Sequence, residues 1–195
     1  MAGLKILAIG GSPRANGNSN SLLRVAVEAA EERGATAEYF YVSRMEIEGC
    51  RACDACRRGP DAVCVQQDEM HEIYAAIKDC DVIVLASPVY FYALSSWVKA
   101  ALDRCYALIT PGPADTGGEE WPLRVPPGKG FYFISTQAED SPLYGYQILP
   151  GLVYGFTWTG IEFRGELIAT GLDGPHEWKD REDLIAAARD LIAVP

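Results

Sequence analysis

Short apolar runs alternating with amphipathic stretches set the rhythm of this chain. Ile6-Leu7-Ala8-Ile9, between Lys5 and Gly10, is unbroken, as in a strand covered on both faces of a parallel sheet. A polar, turn-rich stretch from Gly11 to Asn20 follows; then Leu23, Ala26, Val27 and Ala30 recur at helical spacing, with Gly34 placed as a C-cap. Ala37 to Val42 predicts a second strand. Asp68 stands as the N-cap of a helix whose Ile73, Ala76, Ile77 and Cys80 share a face, and Asp81 to Ser87 reads as the most deeply buried strand. That strand runs into a loop, Pro88-Val89-Tyr90-Phe91-Tyr92, and a helix from about Ser95 to Leu108. Phe131 to Ile134 forms a fourth strand ending at Ser135-Thr136-Gln137, and Pro150-Gly151 predicts a kinked or broken helix between Pro142 and Thr159. Ile161, Phe163, Gly165 and Leu167 alternate with charged residues, as in a half-exposed edge strand. A last helix carries Leu184, Ala187, Ala188 and Leu191. Five strands alternating with helices predict an α/β fold: a doubly wound parallel sheet of order 2-1-3-4-5, with residues 1–195 as a single domain.

Two segments interrupt this rhythm. Residues 110–129 hold five prolines and four glycines and predict no regular structure, and so long an excursion reads as a lid or contact surface. The other, at 50–64, is a cysteine loop. Four of the six cysteines fall there: Cys50, Cys53 and Cys56 at two-residue intervals, and Cys64 seven residues on. Packing needs no such crowding, because buried cysteines scatter as Cys80 and Cys105 do. Three thiolates at this spacing converge from a tight loop in the way that opens a bacterial ferredoxin's grip on iron and sulfur, and Cys64 would be the fourth ligand. Iron–sulfur ligation, loose redox thiols and structural zinc are the uses open to the group.

Composition narrows the partners. The net charge of −10 argues against nucleic acid and anionic membranes. The apolar run near the N-terminus is too short for a signal-peptide core, and a cytoplasmic location is expected, where clustered cysteines bind metal or act in redox more often than they form disulfides.

Ligands of an open parallel sheet bind beyond the carboxyl ends of the strands, where strand order reverses. Ser12, Arg14, Asn18, Ser19 and Asn20 lie between the first strand and a helix N-terminus, where backbone amides, short hydroxyl and amide donors and one guanidinium suit a terminal phosphate. The loop is neither a Walker loop nor a Gly-x-Gly-x-x-Gly turn. Pro88, Val89, Tyr90 and Phe91 could sandwich a flat ring, though aromatics there also suit a core or a dimer contact, and Ser135, Thr136 and Gln137 offer polar edges. His71 and His176 are isolated and no catalytic side chain is assigned.

Gly-Ser-Pro-Arg-x-Asn-Gly-Asn-Ser, then Ser-Pro-Val-Tyr-Phe, then Lys99-x-x-x-Asp103-Arg104 resemble the flavodoxin-like NAD(P)H-dependent FMN reductases over about residues 4–137, and the cysteine motif resembles their iron–sulfur flavoprotein branch. The resemblance implies a flavodoxin-like fold, FMN held by the first loop through its phosphate and along Pro88 to Phe91 through its ring, and a [4Fe–4S] cluster on Cys50, Cys53, Cys56 and Cys64. It implies an oxidoreductase passing electrons between cluster, FMN and a small acceptor or partner protein, with NAD(P)H or reduced ferredoxin as donor, built as a homodimer or homotetramer. A cluster-free NAD(P)H-dependent FMN or quinone reductase, and a non-enzymatic electron carrier or redox sensor, are the alternatives.

Overall fold

The computed structural model describes residues 3–194. Its elements, in chain order, are β1 (Lys5–Gly10), α1 (Asn18–Glu31), β2 (Thr36–Tyr41), α2 (Met70–Asp79), β3 (Val82–Tyr90), β4 (Ala93–Leu94), α3 (Ser96–Arg104), β5 (Gly130–Thr136), α4 (Leu143–Thr157), β6 (Glu162–Ala169) and α5 (Glu182–Asp190). The sheet order is β2-β1-β3-β5-β6, with β4 attached to β3. The five main strands are mutually parallel. With the two-residue β4 set aside, this is the expected 2-1-3-4-5 order. The sheet is thus six-stranded rather than five-stranded, because the segment expected as a loop after β3 folds back as a hairpin, pairing Val89 with Leu94 and Tyr90 with Ala93.

Alternation along each central strand feeds two separate cores. Leu7, Ile9, Ile83, Leu85, Phe131 and Phe133 face one way, onto α2, α3 and α4. Ile6, Ala8, Val82, Val84, Tyr132 and Ile134 face the other, onto α1 and α5. These strands are apolar throughout because helices cover both faces. Gly34, at φ +96°, ends α1 as expected.

Of the kinked or broken helix expected at Pro150, the break is absent: α4 is one helix, Leu143–Thr157, with the proline inside it. Pro150 is exposed, and so is Tyr146, the residue whose carbonyl it leaves without a helical partner. Ala187 is exposed rather than packed with Leu184 and Ala188. Among the described residues no helix is long and apolar enough to cross a membrane.

Candidate functional site

The stretches at 11–20, 50–64, 88–92 and 135–137 lie at or beyond the carboxyl ends of β1, β2, β3 and β5, whereas the 110–129 excursion follows α3; β1 and β3, neighbours in the sheet, are followed by chains that diverge. The crevice between those chains is where an open sheet of this order presents a ligand site.

The β1–α1 loop is held in shape by its own side chains and its neighbours. Asn20 is fully buried; its Oδ1 accepts from the Ser12 N–H at 3.2 Å, and its Nδ2 donates to the carbonyls of Ser12 and Arg14 at 3.1 Å each. Ser12 Oγ accepts from the Arg14 N–H, and Ser43 Oγ donates to the Ser12 carbonyl at 2.9 Å. Arg24, one turn beyond Asn20, clamps the far side through the Ala15 carbonyl, Asn16 Oδ1 and Ser21 Oγ. Ser95 donates to the Gly11 carbonyl at 2.8 Å, and a Cβ on Gly11 would stand 2.1 Å from Val98. Arg24, Ser43 and Ser95 were missed in the sequence; the spacing from Asn20 to Arg24 is the only local signal, and the two serines reach the loop by tertiary proximity alone.

What the loop leaves unused is a set of donors. Gly17 at the N-cap offers no side-chain acceptor, so the first N–H groups of α1 open toward the loop without a cap. The hydroxyl of Ser19, 1% exposed, has no hydrogen-bond partner. Arg14 is exposed, and among the described residues its guanidinium makes no ion pair. Asn18, by contrast, is buried against the segment before α5: its amide nitrogen donates to the Gly174 carbonyl at 2.7 Å and its amide oxygen accepts from the Trp178 N–H. His176 Nδ1 lies 3.0 Å from the Asn16 carbonyl in the same seam.

Across the crevice, Pro88, Val89 and Tyr90 belong to β3 itself, and Phe91 and Tyr92 form the two-residue hairpin turn, both left-handed at φ +48° and +60°. Phe91 is 99% exposed and Tyr92 packs on Tyr144 with ring centroids 4.6 Å apart. Two bulky residues held at positive φ beside a crevice are the kind of backbone outlier that concentrates at working sites. The third stretch is placed differently. Ser135 and Thr136 are inside β5; Ser135 is fully buried facing Gly145 of α4; and Gln137 spends its side chain on the carbonyls of Glu139 and Ser141 and the N–H of Gly145. Gln137 thus braces the β5–α4 turn, while the buried Ser135 hydroxyl has no hydrogen-bond partner.

Cys50, Cys53, Cys56 and Cys64 line one cavity of about 370 Å³, together with Arg104, Tyr106 and Gln66. Ala52 and Asp54, flanking Cys53, both adopt positive φ, at +51° and +54°, bending the chain around the thiols. The Ala52 N–H points to Cys50 Sγ at 3.4 Å. Among the described residues no three Cys, His or carboxylate groups are closed into a ligand set, so the thiols share the walls of the cavity rather than one point. Burial pushes the Cys56 thiol up. Burial pushes Cys64 the same way, but the Gln66 N–H and the Arg104 guanidinium outweigh it and hold that thiol below its ordinary value. Cys80 lies in the core and Cys105, half-buried, packs against it; burial pushes the two thiols up, to about 11 and about 12, as for packing thiols. The 110–129 excursion braces the cysteine loop: Asp115 pairs with Arg57 at 3.2 Å, and Arg124 donates to the Gly59 carbonyl at 3.0 Å.

Residues 4–137 match the family described as NADPH-dependent FMN reductase. An "Iron-sulfur flavoprotein" of Methanosarcina thermophila is 38% identical over 105 residues, 54% of each chain. Another of that name from Archaeoglobus fulgidus is 38% identical over 104 residues, 53% of this chain and 52% of its own. The chain spans about half the length of the curated relatives it matches. Among solved structures, the NAD(P)H:quinone oxidoreductase from Methanothermobacter marburgensis superposes with a TM-score of 0.72 at 15% identity, covering 96% of this chain and 94% of that one, a likeness of fold.

Proposed function

Because the chain belongs to the NADPH-dependent FMN reductase family, we propose that residues 1–195 work as one FMN-binding domain of an oxidoreductase that carries electrons from NAD(P)H or a reduced ferredoxin to a small acceptor or partner protein, acting as a homodimer or homotetramer. The observation that carries the reading is the unpartnered hydroxyl of Ser19 beside the uncapped start of α1. A buried donor left unmatched costs about 1–3 kcal/mol, and a phosphate would satisfy it together with the open N–H groups and Arg14. Asn20, Arg24 and Ser43 hold that cradle in place, so their contribution is orientation. Pro88 to Phe91 form the wall along which the ring would lie; Asn18 and Gln137 support the reading least, since their side chains are occupied elsewhere, and Ser135 and Thr136 are buried inside β5, the Ser135 hydroxyl unpartnered against α4.

The four thiols around one cavity fit an iron–sulfur cluster in donor chemistry and number, and Cys50, Cys53, Cys56 and Cys64 would hold it. Bound, FMN supplies transfer of one or two electrons at a time and the cluster single-electron storage. The protein's own residues bind, orient and exclude water. A spectrum of protein purified without oxygen tests the reading: flavin bands with a broad iron–sulfur shoulder and about four irons per chain support it in full. Flavin bands with no iron after anaerobic reconstitution leave a plain FMN reductase, and a colourless protein that takes up no FMN sinks both.

A further inference from the structure

The motif Lys99-x-x-x-Asp103-Arg104 has no part in the reading above, yet Arg104 heads the largest fully buried side chains of the molecule. Its Nη1 donates to Asp68 Oδ2 at 2.7 Å and to the Glu48 carbonyl at 2.9 Å, and its Nη2 to Asp68 Oδ1 at 3.0 Å. Tyr74 donates its hydroxyl to the Arg104 carbonyl at 2.9 Å. The arginine side chain is 0% exposed and that of Asp68 12%. A buried ion pair of this kind contributes little net stability against apolar side chains of the same volume. Stability therefore does not account for it.

The geometry of the fork does. A guanidinium is planar and its five N–H groups have fixed directions. With both Nη atoms committed to Asp68 and Glu48, the plane is locked, and Nε is the one atom left with no partner, in a residue that lines the thiol cavity with Cys64. We propose that Arg104 is a positioning residue for that cavity: Asp68 and Glu48 lock its fork so that Nε–H is given to the Cys64 sulfur in a charge-assisted hydrogen bond, which fixes that sulfur and favours the more negative, reduced state of whatever the thiols hold. The donor rests on the unpartnered Nε of a residue that shares the cavity wall with Cys64; its pairing with that sulfur is the proposal, and the redox bias rests on the iron–sulfur reading.

Two measurements separate these. In iron-free protein, the Arg104 Nε–H resonance in a nitrogen-15 spectrum should be protected from solvent exchange and should move in Cys64→Ala while holding still in Cys53→Ala. A resonance that ignores Cys64→Ala overturns the proposal whether or not the protein binds iron, and native Arg104 is retained throughout. In reconstituted protein, Arg104→Lys keeps the cation and its reach to Asp68 but lacks Nε–H, and Arg104→Met lacks both. We expect the reduced-to-oxidised ratio at fixed potential to fall about tenfold in Arg104→Met, which is about 59 mV for one electron. Arg104→Lys should fall part of the way, with a shifted iron–sulfur stretching band and unchanged iron content. Wild-type iron content with unchanged midpoint and bands in Arg104→Lys overturns the redox role. Wild-type protein that never binds iron fails the iron–sulfur reading and leaves the resonance test standing.

Discussion

Ser19 sets a small conflict inside the protein. Its hydroxyl is buried and unmatched, so the side chain that suits a phosphate weakens the fold that waits for one. Ser19→Ala should therefore raise, or leave unchanged, the melting temperature of FMN-free protein while weakening FMN binding. Arg14→Ala, at an exposed position, should leave that melting temperature alone and weaken FMN by about tenfold to a hundredfold, the worth of a charge-assisted phosphate contact of about 1.5–3 kcal/mol. Calorimetry on apo protein and fluorescence titration with FMN check both; an unchanged dissociation constant in both variants removes the phosphate from this loop. Residue chemistry of this kind was legible in the chain, because hydroxyls and an arginine between a strand and a helix read as donors. What Asn18 and Asn20 do with those donors was not. One amide turns to Gly174 and the other braces its own loop, a division decided by partners far away in sequence or by the folded shape of the turn.

At the scale of elements, the strands were legible because helices on both faces force apolar runs on them, and such runs carry few other meanings. The β3–β4 hairpin was hidden because Phe91-Tyr92 holds none of the Asn, Asp or Gly that two positive φ angles in a hairpin turn favour. Left-handed backbone costs an ordinary residue roughly 1–2 kcal/mol. Phe91→Asn with Tyr92→Gly should thus stabilise the protein by about 1–2 kcal/mol in urea denaturation, the lost Tyr92–Tyr144 contact taking back part of the gain. The same change should weaken FMN if the turn touches its ring. A variant no more stable than wild type would mean that the aromatic contacts, not the turn, decide this hairpin's conformation. Pro150 carries the complementary lesson, since proline breaks a helix by what it does to one carbonyl, and an exposed face excuses that loss.

For the molecule as a whole, the phosphate-type loop and the thiol cavity are built by different parts of the chain. One is clamped by α1, Ser43 and Ser95, the other by Asp68, Arg104 and the 110–129 excursion. Cys53→Ser should then abolish or destabilise iron binding with FMN stoichiometry near normal, whereas Cys80→Ser and Cys105→Ser should touch packing at most. Iron and flavin assays on the three variants decide this, and full iron in Cys53→Ser refutes cysteine ligation at that position. The excursion announced itself by its prolines and glycines, but its partners did not. That Asp115 and Arg124 reach Arg57 and Gly59 follows only from closing the chain.

The bracing of the β1–α1 loop bears on rates. Asn20, Arg24, Ser43 and Ser95 hold that loop by hydrogen bonds of its own, so under the proposed reading a phosphate arriving there would meet a finished cradle, with no rearrangement between collision and capture. Encounter then becomes the slow step, and a chain of net charge −10 repels a phosphate as it approaches. Added salt screens that repulsion, so FMN should be taken up faster in brine than in dilute buffer, and a stopped-flow uptake rate that falls with salt would instead mean that the local field of Arg14 and the α1 start governs the encounter.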